Sequence, residues 1–381
     1  MVPKICSTIE TVCWIFGAKQ LKLLENLLYC RDGLLDFEAK QPKLLENLLY
    51  NRDSLLDPPL FKLTLRQPDP FDIMDPISRS GCDRRFCRMK QGRFVYKNAD
   101  SMNKMHEFYD RTLDSLGIPF SESYFDTSFG RTHCLLAGDP EKPKICTVHG
   151  GNGITTLNLK LFLPLLSEFC IIAPDVIGMP GKSDPYRNIS SRKDQYGQWI
   201  KEVLDHYEMG KTSFVVSSYS ASMLLSLAKN YPEKVGRSLL LVPSGIAHGP
   251  ILPMIGKMIV PFTKYYIRPS EKTLDAVIET MGGESDDVWR EFFDLMMSSY
   301  KMEMKAPREY KKEELALLDS PLLIVASDND IFFPADKVFG RAEKIFKGPV
   351  TTVRIDSKHL PSQDAMADIC SKTIEFLKPG T

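Results

Sequence analysis

The stretch Ser213–Asn230, SFVVSSYSASMLLSLAKN, joins a short apolar run directly to a helical pattern. Ser213–Val216 predicts a buried strand, and Ser222–Asn230 predicts the helix that follows it. The polar residues 217–222 between them run straight into the helix. Buried strands that alternate with helices form parallel sheets covered on both faces. This stretch therefore predicts one strand–helix unit of an α/β protein.

The same alternation extends on both sides of this unit, from about Asn98 to the C-terminal end. Tyr124–Phe129 and Thr132–Ala137 flank a Gly-Arg pair and predict a β-hairpin. Further buried strands are predicted at Lys144–Val148, Cys170–Ala173, Ser238–Val242, Leu322–Ala326 and Val350–Ile355. Helices are predicted at Ser101–Leu116, Lys193–Tyr207, Asp336–Ile345 and Asp364–Leu377. Parallel sheets bind ligands at the carboxyl ends of their strands, so we expect the functional residues in the loops that follow.

Composition and charge exclude several classes of protein. The 381 residues include 49 Lys and Arg against 49 Asp and Glu, and this zero net charge argues against a nucleic-acid partner. No stretch approaches the roughly 18 apolar residues that span a bilayer, and we recognise no signal peptide. Nine scattered cysteines indicate reduced thiols and predict a cytoplasmic protein. Without a metal-ligand cluster or a phosphate-binding loop, we expect no cofactor. The oligomeric state is not predicted.

The first 90 residues differ from the rest of the chain. Lys22–Asp36 recurs as Lys43–Asp57 with 13 of 15 positions identical, and each copy has leucines at helical spacing. The prolines between Pro58 and Pro76 indicate a linker. We interpret residues 1–90 as an extension that carries a local duplication, and residues 91–381 as the α/β domain. A protein-docking role for the leucine-rich copies stays open.

Three of the predicted strands are followed by residues that together suit nucleophilic catalysis. In chain order they are Ser220, Asp330 and His359. A serine hydroxyl needs a neighbouring base, histidine can accept and return its proton, and a carboxylate fixes the imidazole tautomer. The Gly150–Gly151 pair permits close approach of the backbone, so that one amide there and the amide of Ala221 can hold a developing oxyanion. The order serine, acid, histidine is that of an α/β-hydrolase triad.

From roughly Gly92 onward the chain resembles the α/β-hydrolases, and in particular the bacterial carboxylesterases that cleave esters such as naproxen methyl ester. The matching stretches are Asp126–Gly138 (DTSFGRTHCLLAG), Val148–Asn152 (VHGGN), Ile172–Ser183 (IAPDVIGMPGKS), Pro232–Leu241 (PEKVGRSLLL) and Ile324–Pro334 (IVASDNDIFFP). The resemblance implies Ser220 as nucleophile, Asp330 as triad acid and His359 as base. It implies Gly151 and Ala221 as oxyanion donors.

The resemblance also implies the architecture and the reaction. It predicts a mostly parallel sheet covered by helices, with a small helical cap inserted at about residues 244–318. It predicts a serine esterase that cleaves a small-molecule carboxylic ester through an acyl-enzyme. The family's G-x-S-x-G elbow is replaced here by Ser218-Tyr219-Ser220-Ala221-Ser222, and Ser327 and Lys358 stand where glycines are usual. These departures leave an alternative: a non-catalytic relative that binds a small apolar ligand under the cap.

Seven of the 16 methionines fall in the predicted cap segment. Flexible thioethers suit a pocket for an irregular apolar group, but they equally suit the packing of cap helices against each other. Both interpretations stay open for Met254, Met258, Met281, Met296, Met297, Met302 and Met304.

Overall fold

The structure is a computed structural model that describes residues 92–250, 254–282 and 286–378. The duplicated leucine-rich segment and the proline-rich linker, predicted as the extension 1–90, lie outside the described residues. The boundary between the extension and the α/β domain therefore stays a prediction.

An eight-stranded sheet forms the centre of the described chain. Its strands are β2 Phe120–Thr127, β3 Gly130–Ala137, β4 Lys144–Val148, β5 Cys170–Pro174, β7 Thr212–Ser217, β8 Val235–Leu241, β9 Leu322–Ser327 and β10 Val350–Ile355. A separate antiparallel pair joins β1 (Arg93–Phe94) to β6 (Tyr186–Arg187). In the large sheet, six neighbouring strands are parallel, in the order β10-β9-β8-β7-β4-β5, and the antiparallel strands β3 and β2 complete one edge.

Helices cover both faces of this sheet. In the described ranges they are α1 Ala99–Ser115, α2 Thr155–Phe162, α3 Gln195–His206, α4 Tyr219–Asn230, α5 Val260–Ile267, α6 Glu271–Met281, α7 Asp287–Ser299, α8 Ala335–Ile345 and α9 Gln363–Leu377. Helices α3, α4 and α8 pack in one apolar cluster, and α1, α2 and α9 pack in the other. Within the described ranges, no helix combines the length and the apolar character needed to cross a membrane.

The central strands are buried on both faces, which explains why they appear in the sequence as continuous apolar runs. Side chains alternate across a strand, so Val215 packs in the cluster with α1, whereas Val216 packs in the cluster with α4. Predicted and observed strands agree to within a few residues. Helix α4 differs in a way that matters for the site, because it begins at Tyr219 and not at the predicted Ser222. Its first turn is rich in serine, so it carries no apolar periodicity.

The predicted cap segment lies between β8 and β9. Its described residues contain a π-helical turn, Ile255–Ile259, and the helices α5, α6 and α7. Helix α7 packs on α1, where the rings of Phe292 and Phe108 stack with centroids 6.1 Å apart. The segment therefore rests on the first helix of the domain and stands over the carboxyl edge of the sheet.

The predicted domain boundary gives a test of folding. A chain that begins at Gly92 is expected to fold, because the described elements begin at Arg93. A chain that begins at Ala99 is expected to lose about 3 kcal/mol or more of unfolding free energy. It lacks the wholly buried Val95 and Tyr96, and the Tyr96 hydroxyl bonds the backbone of Gly181 at 3.1 and 3.0 Å. Urea unfolding of the two shortened chains and of the full chain measures these free energies. An unfolded chain that begins at Gly92 would show that the predicted boundary is wrong.

Candidate active site

A strained turn between β7 and α4 carries Ser218. Its backbone has φ +54° and ψ −122°, a conformation that side-chain-bearing residues rarely adopt. The Ser218 N–H donates to the Leu241 carbonyl at 2.9 Å, and its own carbonyl accepts from the Ser244 N–H and hydroxyl at 3.1 and 2.8 Å. Strand β8 and the residues after it therefore hold the turn in place. The turn resembles the nucleophile elbow of α/β-hydrolases.

The side chains of Ser218, His359 and Asp330 form a continuous hydrogen-bonded chain. Nε2 of His359 lies 2.9 Å from Oγ of Ser218, and Nδ1 lies 2.9 Å from Oδ2 of Asp330. The ionised carboxylate only accepts, so Nδ1 carries the proton and Nε2 is the acceptor for the serine hydroxyl. The other carboxylate oxygen accepts from the Phe332 N–H at 2.8 Å. This is the tautomer that a general base requires.

Aromatic rings hold the imidazole on its other side. The rings of Phe332 and Phe333 have centroids 4.7 and 5.8 Å from that of His359. His359 and Asp330 are buried, whereas Asp328, two residues before Asp330, pairs with Arg354 on the surface. The structure thus brings the predicted acid and the predicted base together, and it leaves the neighbouring acid outside the site.

Ser220, the predicted nucleophile, is not brought to His359. Its hydroxyl donates to the Ser217 carbonyl at 2.8 Å and accepts from the Ser217 N–H at 3.0 Å, and the residue is fully buried. The turn is placed two residues earlier than predicted, so Val216 and Ser220 occupy the glycine positions of G-x-S-x-G. The end of the apolar run at Val216 was the available signal, because the nucleophile of an elbow follows its strand closely.

The predicted oxyanion donor Ala221 is also displaced by this shift. Its N–H already donates to the Ser218 carbonyl at 3.1 Å. Tyr219 is the first residue of α4, so its N–H has no acceptor within the helix. Gly151 lies against Tyr219, since a Cβ added at Gly151 would come within 3.0 Å of the Tyr219 side chain. The structure therefore places the predicted donor Gly151 beside Tyr219, the residue that directly follows Ser218.

His149 fixes the loop that contains Gly151. Its Nε2 accepts from the Val176 N–H at 3.1 Å, so the ring proton is on Nδ1, which donates to the Gly150 carbonyl at 2.9 Å. The same carbonyl accepts from the Gly153 N–H at 3.1 Å. Burial lowers the pKa of His149 below its ordinary value, because the charged imidazole is poorly solvated there. The sequence alone assigns no role to this histidine.

Two of the departures from the family pattern have partners in the structure. The Ser327 hydroxyl accepts from the Ser357 N–H at 3.2 Å and donates to the Ser357 carbonyl. It therefore joins the loop that carries Asp330 to the loop that carries His359. Lys358 points its Nζ to the Glu279 carbonyl of α6 at 2.6 Å, which ties the histidine loop to the predicted cap.

A cavity of about 600 Å³ lies over Ser218 and His359. Its wall is mostly apolar and includes Trp289, Phe292 and Phe293 of α7. Met297 is instead buried in the core that α7 shares with α1. Most of the methionines in the predicted cap segment therefore line a pocket; these are Met254, Met258, Met281, Met296, Met302 and Met304.

Known proteins share this architecture. No protein-family model matches the chain. The Bacillus subtilis carboxylesterase YbfK is 22% identical over 302 residues, which cover 77% of this chain and 99% of that protein. Its crystal structure superposes with a TM-score of 0.60, covering 74% of this chain and all of that one.

Two other relatives extend the comparison. The naproxen esterase structure of Bacillus subtilis has a TM-score of 0.62 at 17% identity, covering 74% of this chain and 100% of that one. A 2-hydroxy-6-oxononadienedioate/2-hydroxy-6-oxononatrienedioate hydrolase of Pseudomonas putida is 26% identical over 200 residues, 49% of this chain and 70% of that protein. The chain has the α/β-hydrolase fold, and the predicted resemblance to bacterial carboxylesterases is confirmed.

The buried His149 gives a test of pH dependence. Its pKa in the folded chain lies below the unfolded value of 6.5. Below pH 6.5 the unfolded chain therefore binds a proton at His149 more readily than the folded chain does. The contribution of His149 to the free energy of unfolding is therefore fully present above pH 6.5 and decreases on acidification. His149→Gln is expected to be less stable at pH 7.5 but to lose less stability between pH 7.5 and 5.5 than the wild type.

Urea unfolding at pH 7.5 and pH 5.5 measures, for the wild type and for His149→Gln, the slope of the unfolding free energy against pH. Equal slopes in the wild type and in His149→Gln would show that another group causes the acid sensitivity.

Proposed function

We propose that the protein is a serine hydrolase that cleaves carboxylic esters, with Ser218 as nucleophile, His359 as general base and Asp330 as triad acid. The observation that carries this proposal is the hydrogen-bonded chain of these three side chains, with both links at 2.9 Å. The proposal replaces Ser220 by Ser218 and keeps the acid and the base inferred from the sequence. The carboxylesterase relatives support ester hydrolysis as the reaction.

Acylation is the first half of the proposed reaction. As Ser218 Oγ attacks the ester carbonyl carbon, Nε2 of His359 takes the hydroxyl proton, and Asp330 stabilises the resulting imidazolium. The carbonyl oxygen becomes an oxyanion, for which the N–H groups of Tyr219 and Gly151 are the proposed donors. When the carbonyl re-forms, the bond to the alcohol oxygen breaks, and His359 returns the proton to the leaving alcohol.

Deacylation repeats these steps with water. His359 takes a proton from a water molecule that attacks the acyl carbon, and the same two amides hold the second oxyanion. The bond to Ser218 Oγ then breaks, the serine recovers its proton from His359, and the carboxylic acid leaves.

The cavity supports an apolar ester as substrate. The side chains of Phe292, Phe293 and Met296 are buried at its α7 wall, so an apolar group placed there is removed from water. Flexible methionines adapt to irregular apolar shapes. The match to the carboxylesterase covers 77% of this chain against 49% for the Pseudomonas putida hydrolase, which favours an ester over the substrate of the latter. A non-catalytic binding role is not favoured.

Matched serine variants test the nucleophile. Ser218→Ala is expected to abolish both labelling by a fluorophosphonate and turnover of 4-nitrophenyl esters, because it removes the oxygen bonded to His359. Ser220→Ala makes the same change two residues away and is expected to keep labelling. Mass spectrometry of the labelled peptide identifies the modified serine. Labelling that persists in Ser218→Ala, or is lost in Ser220→Ala alone, would restore Ser220 as the candidate.

A pair of acid variants tests the role of Asp330. Asp330→Asn is expected to lower kcat by roughly 10⁴, the effect of a triad histidine in the wrong tautomer. Asp328→Asn is the matched control, and since Asp328 pairs with Arg354 on the surface, its kcat is expected to stay near that of the wild type. Steady-state ester kinetics give both values, and comparable losses in the two variants would contradict the assignment.

A further inference from the structure

Asn152, in the loop after β4, contacts the backbone of Glu303 in the segment that follows α7. Its Nδ2 donates to the Glu303 carbonyl at 3.0 Å, and its Oδ1 accepts from the Glu303 N–H at 2.6 Å. One side-chain amide thus pairs with both backbone groups of a single residue, as a neighbouring strand does. Both residues line the cavity. This pair, which we call the Asn152 latch, joins the loop beside Ser218 to the cavity wall.

On one side, the latch includes the residue that follows Gly151. Asn152 has φ +57°, in the left-handed region that asparagine tolerates better than most residues with side chains. Gly151 is held closely against Tyr219, and a single peptide joins it to Asn152, so a shift of Asn152 displaces Gly151 and the N–H that Gly151 carries. The orientation of the proposed oxyanion donor therefore depends on how Asn152 is held.

On the other side, the latch holds the backbone of Glu303, whose carboxylate has contacts of its own; it accepts from the Lys305 N–H at 2.9 Å. The Glu303 carboxylate lies 3.6 Å from the Arg187 guanidinium, which itself donates to the Tyr300 hydroxyl at 2.6 Å. The neighbours Met302 and Met304 line the cavity. The side chain of Glu303 is thus fixed by Arg187, and its backbone is fixed by the latch. Without the latch, the Glu303 backbone loses both of its bonds to the loop that carries Gly151.

We propose that Asn152 is a positioning residue for ester hydrolysis. It fixes the position of the Gly151 amide relative to the part of the cavity wall that Met302 and Met304 form. This role rests on the proposed function. The two sides of the latch predict two separable effects. Loss of the Gly151 orientation lowers kcat for every ester, whereas loss of the wall raises KM only for an ester bulky enough to contact it.

The test compares Asn152→Gly with the wild type, using 4-nitrophenyl acetate and 4-nitrophenyl naphthoate. Glycine adopts the left-handed backbone without strain and lacks the side chain that makes both bonds to Glu303. We expect kcat to fall roughly tenfold for both esters, less than the 10²–10³ that follows complete loss of an oxyanion donor. We expect KM to rise for the naphthoate and to stay unchanged for the acetate. Fluorophosphonate titration normalises kcat to the number of active sites.

Two further variants separate the latch from a general effect on folding. Asn152→Asp keeps the shape but directs a carboxylate oxygen at the Glu303 carbonyl, so the same kinetic changes are expected. Glu208→Gly is the matched control, because exposed Glu208 also has a left-handed backbone, φ +53°, at the end of α3 away from the cavity. It is expected to leave both kinetic constants unchanged. A merely structural role would lower the titrated sites and leave kcat per site and KM intact.

Hydrogen exchange provides a readout without catalysis. In Asn152→Gly, peptides that contain the Glu303 amide are expected to exchange faster, since that N–H loses its acceptor, while Glu208→Gly exchanges there as the wild type does. Unchanged exchange, or unchanged kinetics in an active Asn152→Gly enzyme, would overturn the positioning role alone. A folded wild type with neither label nor turnover would overturn the proposed function and the positioning role together.

Discussion

The backbone conformation of Ser218 is the constraint on which the rest of the site depends. A residue with φ +54° between a strand and a helix points its side chain away from the directions that side chains take along the strand or along the helix. Such a conformation costs about 1–3 kcal/mol and persists only where its surroundings over-determine it. Here the surroundings are β8 and Ser244, which bond both backbone groups of Ser218. The buried sheet therefore supplies the rigidity that the turn lacks by itself.

The sheet also determines where the acid and the base arrive. Strands β9 and β10 are parallel and in register, with Ser327 paired to Ile355 at their carboxyl ends. Asp330 follows three residues after the first of these positions, and His359 four residues after the second. Two loops of similar length that leave the same edge side by side bring the carboxylate to the imidazole. The contact between Asp330 and His359 is thus a consequence of strand register.

The sequence predicted these two loops well and the elbow poorly, for physical reasons. Buried parallel strands are apolar runs with polar ends, so β10 is predicted at its observed bounds and β9 to within one residue, and the acid and base follow from them. The elbow contains four serines within six residues, Ser217, Ser218, Ser220 and Ser222. Their composition does not distinguish one from another. The backbone conformation and the contact with His359 do, and both depend on tertiary structure.

Two of the departures from the family pattern, Ser220 and Ser327, share one physical solution. Glycine permits close packing because it lacks a side chain, but a serine hydroxyl can take the same place when it bonds the backbone it approaches. Ser220 does this with both backbone groups of Ser217, and Ser327 does it with both backbone groups of Ser357. Each hydroxyl is satisfied, so its burial leaves no unpaired polar group. These serines are therefore compatible with a closely packed hydrolase site, and their presence is no argument for an inactive one.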